Sequence, residues 1–458
     1  MKSYIKKAAI SFLAFSSLAT AYAQTTYSGY FLDNYDYRFE MNPAFGNEKG
    51  FVSFPALGNL NINMHGNLHL NEVLYKLNGK TVLFTNPGIS ESEAMSKFGE
   101  KNRLGTNTKV DILSVGFNGM GGYNTVSLGV VANVDVSVPG SFFSLAKEGV
   151  TNSTYDIKNM FGNANAYAQL ALNHSHEIKQ VKGLRVGATL KVLVGAGNMD
   201  FRFNDAKLVL DNNKWIAQTN ADIYTSISGF RYEMDRSEQT GKDYVSGGDI
   251  DGDYGPNGFG LGFDLGAQYE WNDFTFSAAV LDLGFMKWGK TQWASTNGTK
   301  TVDTDSYIFN VNDDAPNSFD NEWDRFTDDL AKLYQLDNNG EVSSRTRALA
   351  ATLNFGAQYE LPAYRRLHFG LMNSTRINGP YTWTQFRLSA NINPVDFLSA
   401  DVNVAAGTYG IGFGWLLNIH TTGFNLFAGM DHTVGKLAKQ GIPLNSNASF
   451  NFGINFPF

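Results

Sequence analysis

The sequence predicts an all-β fold: an antiparallel transmembrane β-barrel of about 14 strands, with an N-terminal plug segment and long extracellular loops. Three observations carry that prediction. Long segments alternate apolar and polar side chains, their connections alternate short and long, and the 458-residue chain is 14% aromatic but only 17% charged. Soluble domains carry about a quarter of charged residues, so something other than water should cover much of this surface. Mean hydropathy is −0.23. Past the N-terminus no apolar run reaches the roughly 18 residues that a helical span needs, which leaves alternating strands as the way across a bilayer.

Taken in order, Lys2, Lys6 and Lys7 precede an apolar stretch over residues 8–19, and Ala21-Tyr22-Ala23 supplies a small-x-small cleavage site. This order predicts a secretory signal over residues 1–23 and a mature chain starting near Gln24. Removing those three lysines from 36 basic residues leaves 33 against 43 acidic ones, a balance without the basic footprint of a nucleic-acid binder. Cysteine is absent, which excludes disulfides, thiolate metal sites, thiol nucleophiles and a lipidated N-terminal Cys. Residues 24–59 precede the first long alternating run and are expected to form a plug or periplasmic segment.

Residues 60–458 are expected to form the barrel. Residues 60–71 place an apolar residue or Gly at every even position and a polar one at every odd position. Over residues 258–271 the odd positions are Phe259, Leu261, Phe263, Leu265, Ala267, Tyr269 and Trp271. A helix would scatter these residues around its circumference, whereas a strand puts them on one face. The same reading places strands near 60–71, 110–118, 123–138, 164–176, 184–199, 258–271, 273–285, 348–361, 366–376, 384–393, 398–408, 410–420, 423–432 and 447–458. A further pair over 207–230, turning at Asp211-Asn212-Asn213, reads as a hairpin within a long loop; counted as wall, it would give sixteen strands. Residues 72–109, 139–163, 200–257 and 286–347 are long connections, while the others are mostly tight turns. A secreted β-sandwich also alternates, but typical soluble strands run about five or six residues and tilted membrane strands about nine to eleven. Propellers and solenoids need a regular repeat, and only one echo occurs, residues 265–270 against 355–360.

The C-terminal strand alternates Phe450, Phe452, Ile454 and Phe456 with Ser449, Asn451, Gly453 and Asn455 before ending at Phe458. Phe456 and Phe458 resemble the terminal aromatic signal read by the barrel-assembly machinery. Tyr269, Trp271, Trp288, Tyr359, Trp383 and Phe458 fall near strand ends, where an interfacial aromatic girdle is expected.

Ahead of the first strand stands Asn42-Pro43-Ala44-Phe45, and one strand ends in Leu281-Asp282-Leu283-Gly284. The Asn-Pro-Ala tripeptide in a pre-barrel segment resembles the FadL-type long-chain fatty-acid transporter superfamily, which includes the PorV-like barrels of type IX secretion. The Asp-Leu-Gly strand end resembles an uncharacterised Bacteroidetes branch known as a domain of unknown function. The resemblance implies fourteen strands, a plug with Asn42, Pro43 and Ala44 at its turn, and passive passage of small hydrophobic compounds towards a lateral opening in the wall. A docking barrel for secretion or surface assembly is the alternative it implies. Turn chemistry alone would also account for Asn-Pro.

Other candidate residues are sparse. Asn61, Asn63, Arg185 and Lys191 lie on polar strand faces and are expected to face the lumen. Asp249, Asp251 and Asp253 alternate in a Gly-rich loop like Ca²⁺ ligands, but Tyr254 stands where an EF-hand needs Gly and the twelfth-place Glu is missing, so a solvated acidic turn is the simpler reading. His174 and His176 share a strand face. Phe319, Trp323, Phe326, Leu330 and Leu333 recur at helical spacing and predict a short amphipathic loop helix. With no hydrolase or phosphate-loop motif, neither an enzyme nor a cofactor is expected. The expected partners are outer-membrane lipid, the assembly machinery, and a small hydrophobic ligand or a surface protein.

Overall fold

A computed structural model describes residues 26–47, 49–148, 154–210, 215–236, 241–252, 254–296, 335–433 and 447–458. The expected signal segment, the expected loop helix near residues 318–333 and Asp253 lie outside the described residues. Fourteen antiparallel strands close into a barrel. The first, β1, is Asn59–Gly66 preceded in the wall by Phe51–Ser53; β2 is Lys101–Gly119, β3 Gly122–Pro139, β4 Met160–Glu177 and β5 Leu184–Leu210. Then come β6 Gly258–Trp271, β7 Phe274–Trp288, β8 Ala351–Glu360, β9 Leu367–Ile377 and β10 Trp383–Val395. The last four are β11 Leu398–Gly407, β12 Gly410–His420, β13 Asn425–Met430 and β14 Ala448–Pro457. Neighbours in sequence pair throughout, and β14 closes the ring on β1 through Val52↔Phe456 and Leu60↔Phe452. Closure gives every wall strand two neighbours and leaves no open edge facing lipid.

The two faces of the wall confirm what the alternation means. Along β6, Phe263 is 49% and Leu265 53% exposed on the outside, whereas Asp264 between them is 1% exposed inside. Val402 and Val404 point out of β11 while Asp401 and Asn403 are buried within. A sandwich would bury the apolar face and expose the polar one, and here the arrangement is inverted. That inversion suits hydrocarbon outside and a filled polar interior.

β-Bulges change the phase of the alternation. On β2 the register slips at Ile112, between Asp111↔Gly129 and Leu113↔Leu128. On β5 it slips at Ala196, and on β7 at Leu281 and Asp282, where Asp282 adopts φ +58°. An extra residue sends the rest of a strand to the opposite face. Phe274 and Phe276 therefore face outward, but Trp288, an even number of residues further on, is buried on Met286 and Leu193 inside the wall. Trp288 is consequently not a girdle residue, and neither is Trp383, which by the unbroken alternation of its half of β10 faces the lumen and meets Tyr27 edge-on at 6.4 Å. Tyr269, Trp271 and Phe458 are exposed at the short-turn end.

Other boundaries differ for local reasons. The wall begins at Phe51 rather than Leu60, because Phe51–Ser53 pairs with both β14 and β2 before the chain breaks at Pro55. The strand expected over 60–71 stops at Gly66, packed against the Arg103 carbonyl, and Leu70–Val73 is helical. Long connections are partly ladder: β2 starts at Lys101, β4 at Met160, and β5 runs on to Leu210 to pair with Trp215–Ile227 as a hairpin beyond the wall. Within 286–347, Thr291–Ser295, Asp337–Val342 and Arg345–Ala348 extend the same sheet. Outside water-excluded lipid these strands need no apolar face, which hides them from hydropathy. Residues 67–100 and the helix Gly140–Glu148 form a small module around Tyr75, Phe84, Ile89 and Phe143.

Candidate functional site

The lumen is filled by residues 26–47, and the largest buried cluster among the described residues lies there rather than in the wall. Tyr27, Tyr30, Phe31, Leu32, Tyr35, Tyr37, Phe39, Met41 and Phe45 pack on one another and on Phe51, Met372, Leu416 and Phe427. Short 3-10 turns at Tyr27–Gly29 and Arg38–Glu40 keep the segment compact. Such a segment has little internal ladder, so its backbone polar groups need other partners. The lumenal asparagines supply them. Asn354 donates to the Met41 carbonyl at 2.9 Å, Asn418 to that of Asn34 at 2.7 Å and Gln358 to that of Phe31 at 3.2 Å. Asp431 accepts from the backbone N–H groups of Tyr27 and Ser28 at 2.8 and 2.7 Å.

Asn42, Pro43 and Ala44 form a turn in which the Asn42 carboxamide accepts from the Ala44 N–H at 3.0 Å. That turn is also pinned to the wall. Asn42 donates to the Ala267 carbonyl at 3.1 Å, and Asn173 donates to that of Pro43 at 3.2 Å. A Cβ at Gly187 would strike Pro43, and one at Gly266 would strike Asn42. Gly356, which stands where Gly266 does in the echoed segment, leaves room in the same way for Tyr30. The echo thus marks two glycine seats for one plug.

Charge is concentrated where plug meets wall. Lys191 reaches Asp264 at 2.8 Å and Asp282 at 2.6 Å, and the Asp282 N–H donates to Asp264 at 2.7 Å. The β7 bulge turns Asp282 inward to complete this group. Nearby, Lys109 pairs with Glu40 of the plug and lies 3.6 Å from Asp111. Both groups border a cavity of about 80 Å³ lined also by Tyr27, Phe39, Tyr167 and Arg376. That holds a few waters, whereas ligand sites commonly run to ~300 Å³ or more. At the short-turn end a vestibule of about 1090 Å³ opens beside Asp36, Lys49, Lys182 and Arg185. Burial pushes the Asp36 carboxyl of the plug up to about 7, against the opposing effect of bonds from Asn425 and Asn455.

One stretch of wall lacks regular ladder. Between Ser53 and Asn59 the chain loops outward with Ala56 at φ +58°, held by Ala56 N–H to the Ile112 carbonyl at 2.9 Å and Ile454 N–H to that of Leu57 at 2.9 Å. Beside it lies the β2 bulge, so Phe54, Leu57, Ile112 and Leu113 are all exposed outside. Behind it stand Gly58 and the plug's Tyr37, whose hydroxyl a Cβ at Gly58 would meet at 2.7 Å.

Among the residues singled out by sequence, Asn61 is buried inside and donates to Thr26 of the plug at 2.8 Å. Asn63 is also buried inside, Lys191 carries the first ion group, and Arg185 sits in the vestibule near Ser175 at 3.2 Å. Phe456 is exposed on the outer face, and the Phe458 N–H donates to the Gly50 carbonyl at 2.9 Å. Asp249 lies in the strand Asp243–Ile250 opposite Arg231, and Asp251 follows it; both are exposed. Among the described residues no three His, Asp or Glu side chains are grouped to hold a metal. His174 and His176 stack at 6.0 Å on the outer face. Sequence reasoning missed Glu40, Lys109, Asp111, Asp264 and Asp282. For Asp111 and Asp264 the available signal was a charge on the polar face of a membrane strand, which is costly without a partner.

The model of a family described as a family of unknown function (DUF5723) matches residues 43–431. No curated protein matches the chain. Among solved structures, the toluene transporter TodX of Pseudomonas putida is similar at 10% identity and a TM-score of 0.37, covering 91% of each chain. A FadL homologue of Pseudomonas aeruginosa is similar at 11% identity and a TM-score of 0.34, covering 91% of this chain and 90% of the other. The translocator domain of the autotransporter NalP from Neisseria meningitidis is similar at 7% identity and a TM-score of 0.33, covering 90% of each.

Proposed function

The chain belongs to a family of unknown function, DUF5723, and from the geometry of its plugged barrel we propose that it is an outer-membrane channel passing small hydrophobic compounds passively. The outer-membrane setting is supported by the closed wall with its apolar exterior. The observation that carries the transport reading is the interrupted wall at residues 54–58. There an apolar outer patch of Phe54, Leu57, Ile112 and Leu113 is separated by Gly58 from the aromatic plug. Withdrawal of the plug around Tyr37 and Glu40 would join the small lumenal cavity to that break, and an apolar solute would leave sideways into lipid rather than through the polar vestibule. No bond is made or broken, and partition supplies the driving force.

The absence of native cysteine allows a direct test. Thr26→Cys with Asn61→Cys places two thiols where plug and wall side chains meet at 2.8 Å. In proteoliposomes, uptake of a labelled monoaromatic compound is expected to fall to background when the pair is oxidised and to recover on reduction. Equal uptake in both states would refute the plug as the gate. A stable protein partner in a mild-detergent preparation, together with no uptake in either state, would favour the docking alternative.

A further inference from the structure

The mouth at the long-loop end carries a group of residues that neither the plug nor the wall break uses. On the lumenal face beyond the β5 bulge, one oxygen of Asp200 receives Arg345 at 3.2 Å, Arg202 at 3.5 Å and Arg347. Asp200 is 4% exposed in its side chain, whereas Arg202 is 45% exposed. One carboxylate cannot neutralise three guanidinium groups, so among the described residues the cluster retains an excess of about two positive charges. The nearby Asp222 does not offset this within hydrogen-bond reach, since its oxygens accept from Trp293 at 3.0 Å and Asn204 at 2.8 Å.

Two donors at this mouth have no partner among the described residues: the Nη1 atom of Arg345 and the hydroxyl of Tyr381, a residue 7% exposed. Tyr381 lies within the field of Asp135, Asp200, Arg347 and Arg202, and Asp135 is itself engaged by His65 at 3.3 Å and Asn378 at 3.1 Å. A buried unsatisfied donor is costly and calls for an acceptor. Alongside, Tyr224 and Trp293 lie parallel at 5.9 Å with 7° between planes, and the Arg345 guanidinium lies 3.5 Å over the Tyr224 ring. Flat rings beside forked cationic donors form a surface for a planar body carrying an oxyanion.

We infer that this mouth binds an organic oxyanion, a carboxylate or phosphate ester, carried on a flat ring: Arg345, Arg347 and Tyr381 take the oxygens and the Tyr224–Trp293 pair takes the ring. The inference goes beyond the proposed passage of apolar solutes. It is read by binding to the purified barrel in detergent, whatever crosses the membrane, so either reading can fail alone.

Calorimetric titration with benzoate, phenyl phosphate, benzyl alcohol and inorganic phosphate tests it. Benzoate and phenyl phosphate should bind at least about tenfold more tightly than benzyl alcohol, and phenyl phosphate more tightly than inorganic phosphate. Arg345→Gln with Arg347→Gln should weaken both ring-bearing anions about tenfold, and Trp293→Leu should weaken them while leaving inorganic phosphate unchanged. Arg345→Lys, which keeps the charge and loses the fork, should give an intermediate loss. Each variant is first checked for heat-modifiable migration of the folded barrel. Benzyl alcohol binding as tightly as benzoate, or anion binding unchanged in the folded double variant, would overturn the assignment.

Discussion

Lys191 spans two carboxylates on different strands, Asp264 on β6 and Asp282 on β7, and all three are turned away from lipid. Removing the cation from such a group costs more than the group itself contributes, because the acids stay behind uncompensated. Lys191→Met should therefore destabilise the barrel by about 3–5 kcal/mol, read by urea unfolding in detergent. Adding Asp264→Asn and Asp282→Asn should recover most of that loss; no recovery would mean that the lysine acts by packing alone. Asp36 offers a pH test of the plug. Its folded value, near 7, stands above the ordinary carboxylate value of 3.8, so the seated plug holds the extra proton. Its contribution is complete below pH ~4 and is lost as pH rises through ~7. Protease clipping of the plug should accordingly be faster at pH 8 than at pH 5, and Asp36→Asn should remove the difference. Of these residues sequence singled out only Lys191 for the lumen. Its partners were not legible because Asp282 lies 91 positions away, and only the bulge turns it inward.

At the level of elements, alternation was legible wherever lipid imposed it: β6 spans Gly258–Trp271 and β12 spans Gly410–His420, the limits read from sequence. Phase was less legible than period. A bulge leaves each half of a strand alternating and changes only which half points inward, so nothing in residues 274–288 announces that Trp288 is buried while Phe274 is exposed. The plug turn shows the opposite case, a local motif whose meaning lies in what it touches. Asn42, Pro43 and Ala44 form their turn from local chemistry, but Gly187 and Gly266 decide where it docks. Gly187→Val should leave a closed, heat-modifiable barrel, since a β-branched residue suits a strand. The same change should expel residues 42–44 and make the plug sensitive to protease. A barrel that keeps a protected plug in this variant would show that the aromatic cluster, not the Asn-Pro-Ala turn, fixes the seat.

For the whole molecule, the decisive property is which way the two faces point. The barrel has no apolar core between sheets: apolar strand faces look outward, and the main buried aromatic cluster belongs to a segment that is not wall. Two substitutions separate this arrangement from a soluble β fold. Val402 on β11 is 50% exposed on the outer face, midway along its strand. In water an exposed Val→Arg change would be nearly neutral, within about 0.5 kcal/mol. In a bilayer the same change places a guanidinium near the hydrocarbon midplane at a cost of about 2–4 kcal/mol. Val402→Arg should therefore unfold at lower denaturant than the parent when the protein is reconstituted in phospholipid vesicles. Ile411→Arg, at the loop end of β12 and 82% exposed, should cost far less because a strand end lies near the interface. A difference that depends on depth is expected only if lipid covers the wall. Equal and negligible costs at both positions would mean that water covers it, and the channel reading would fall with the bilayer.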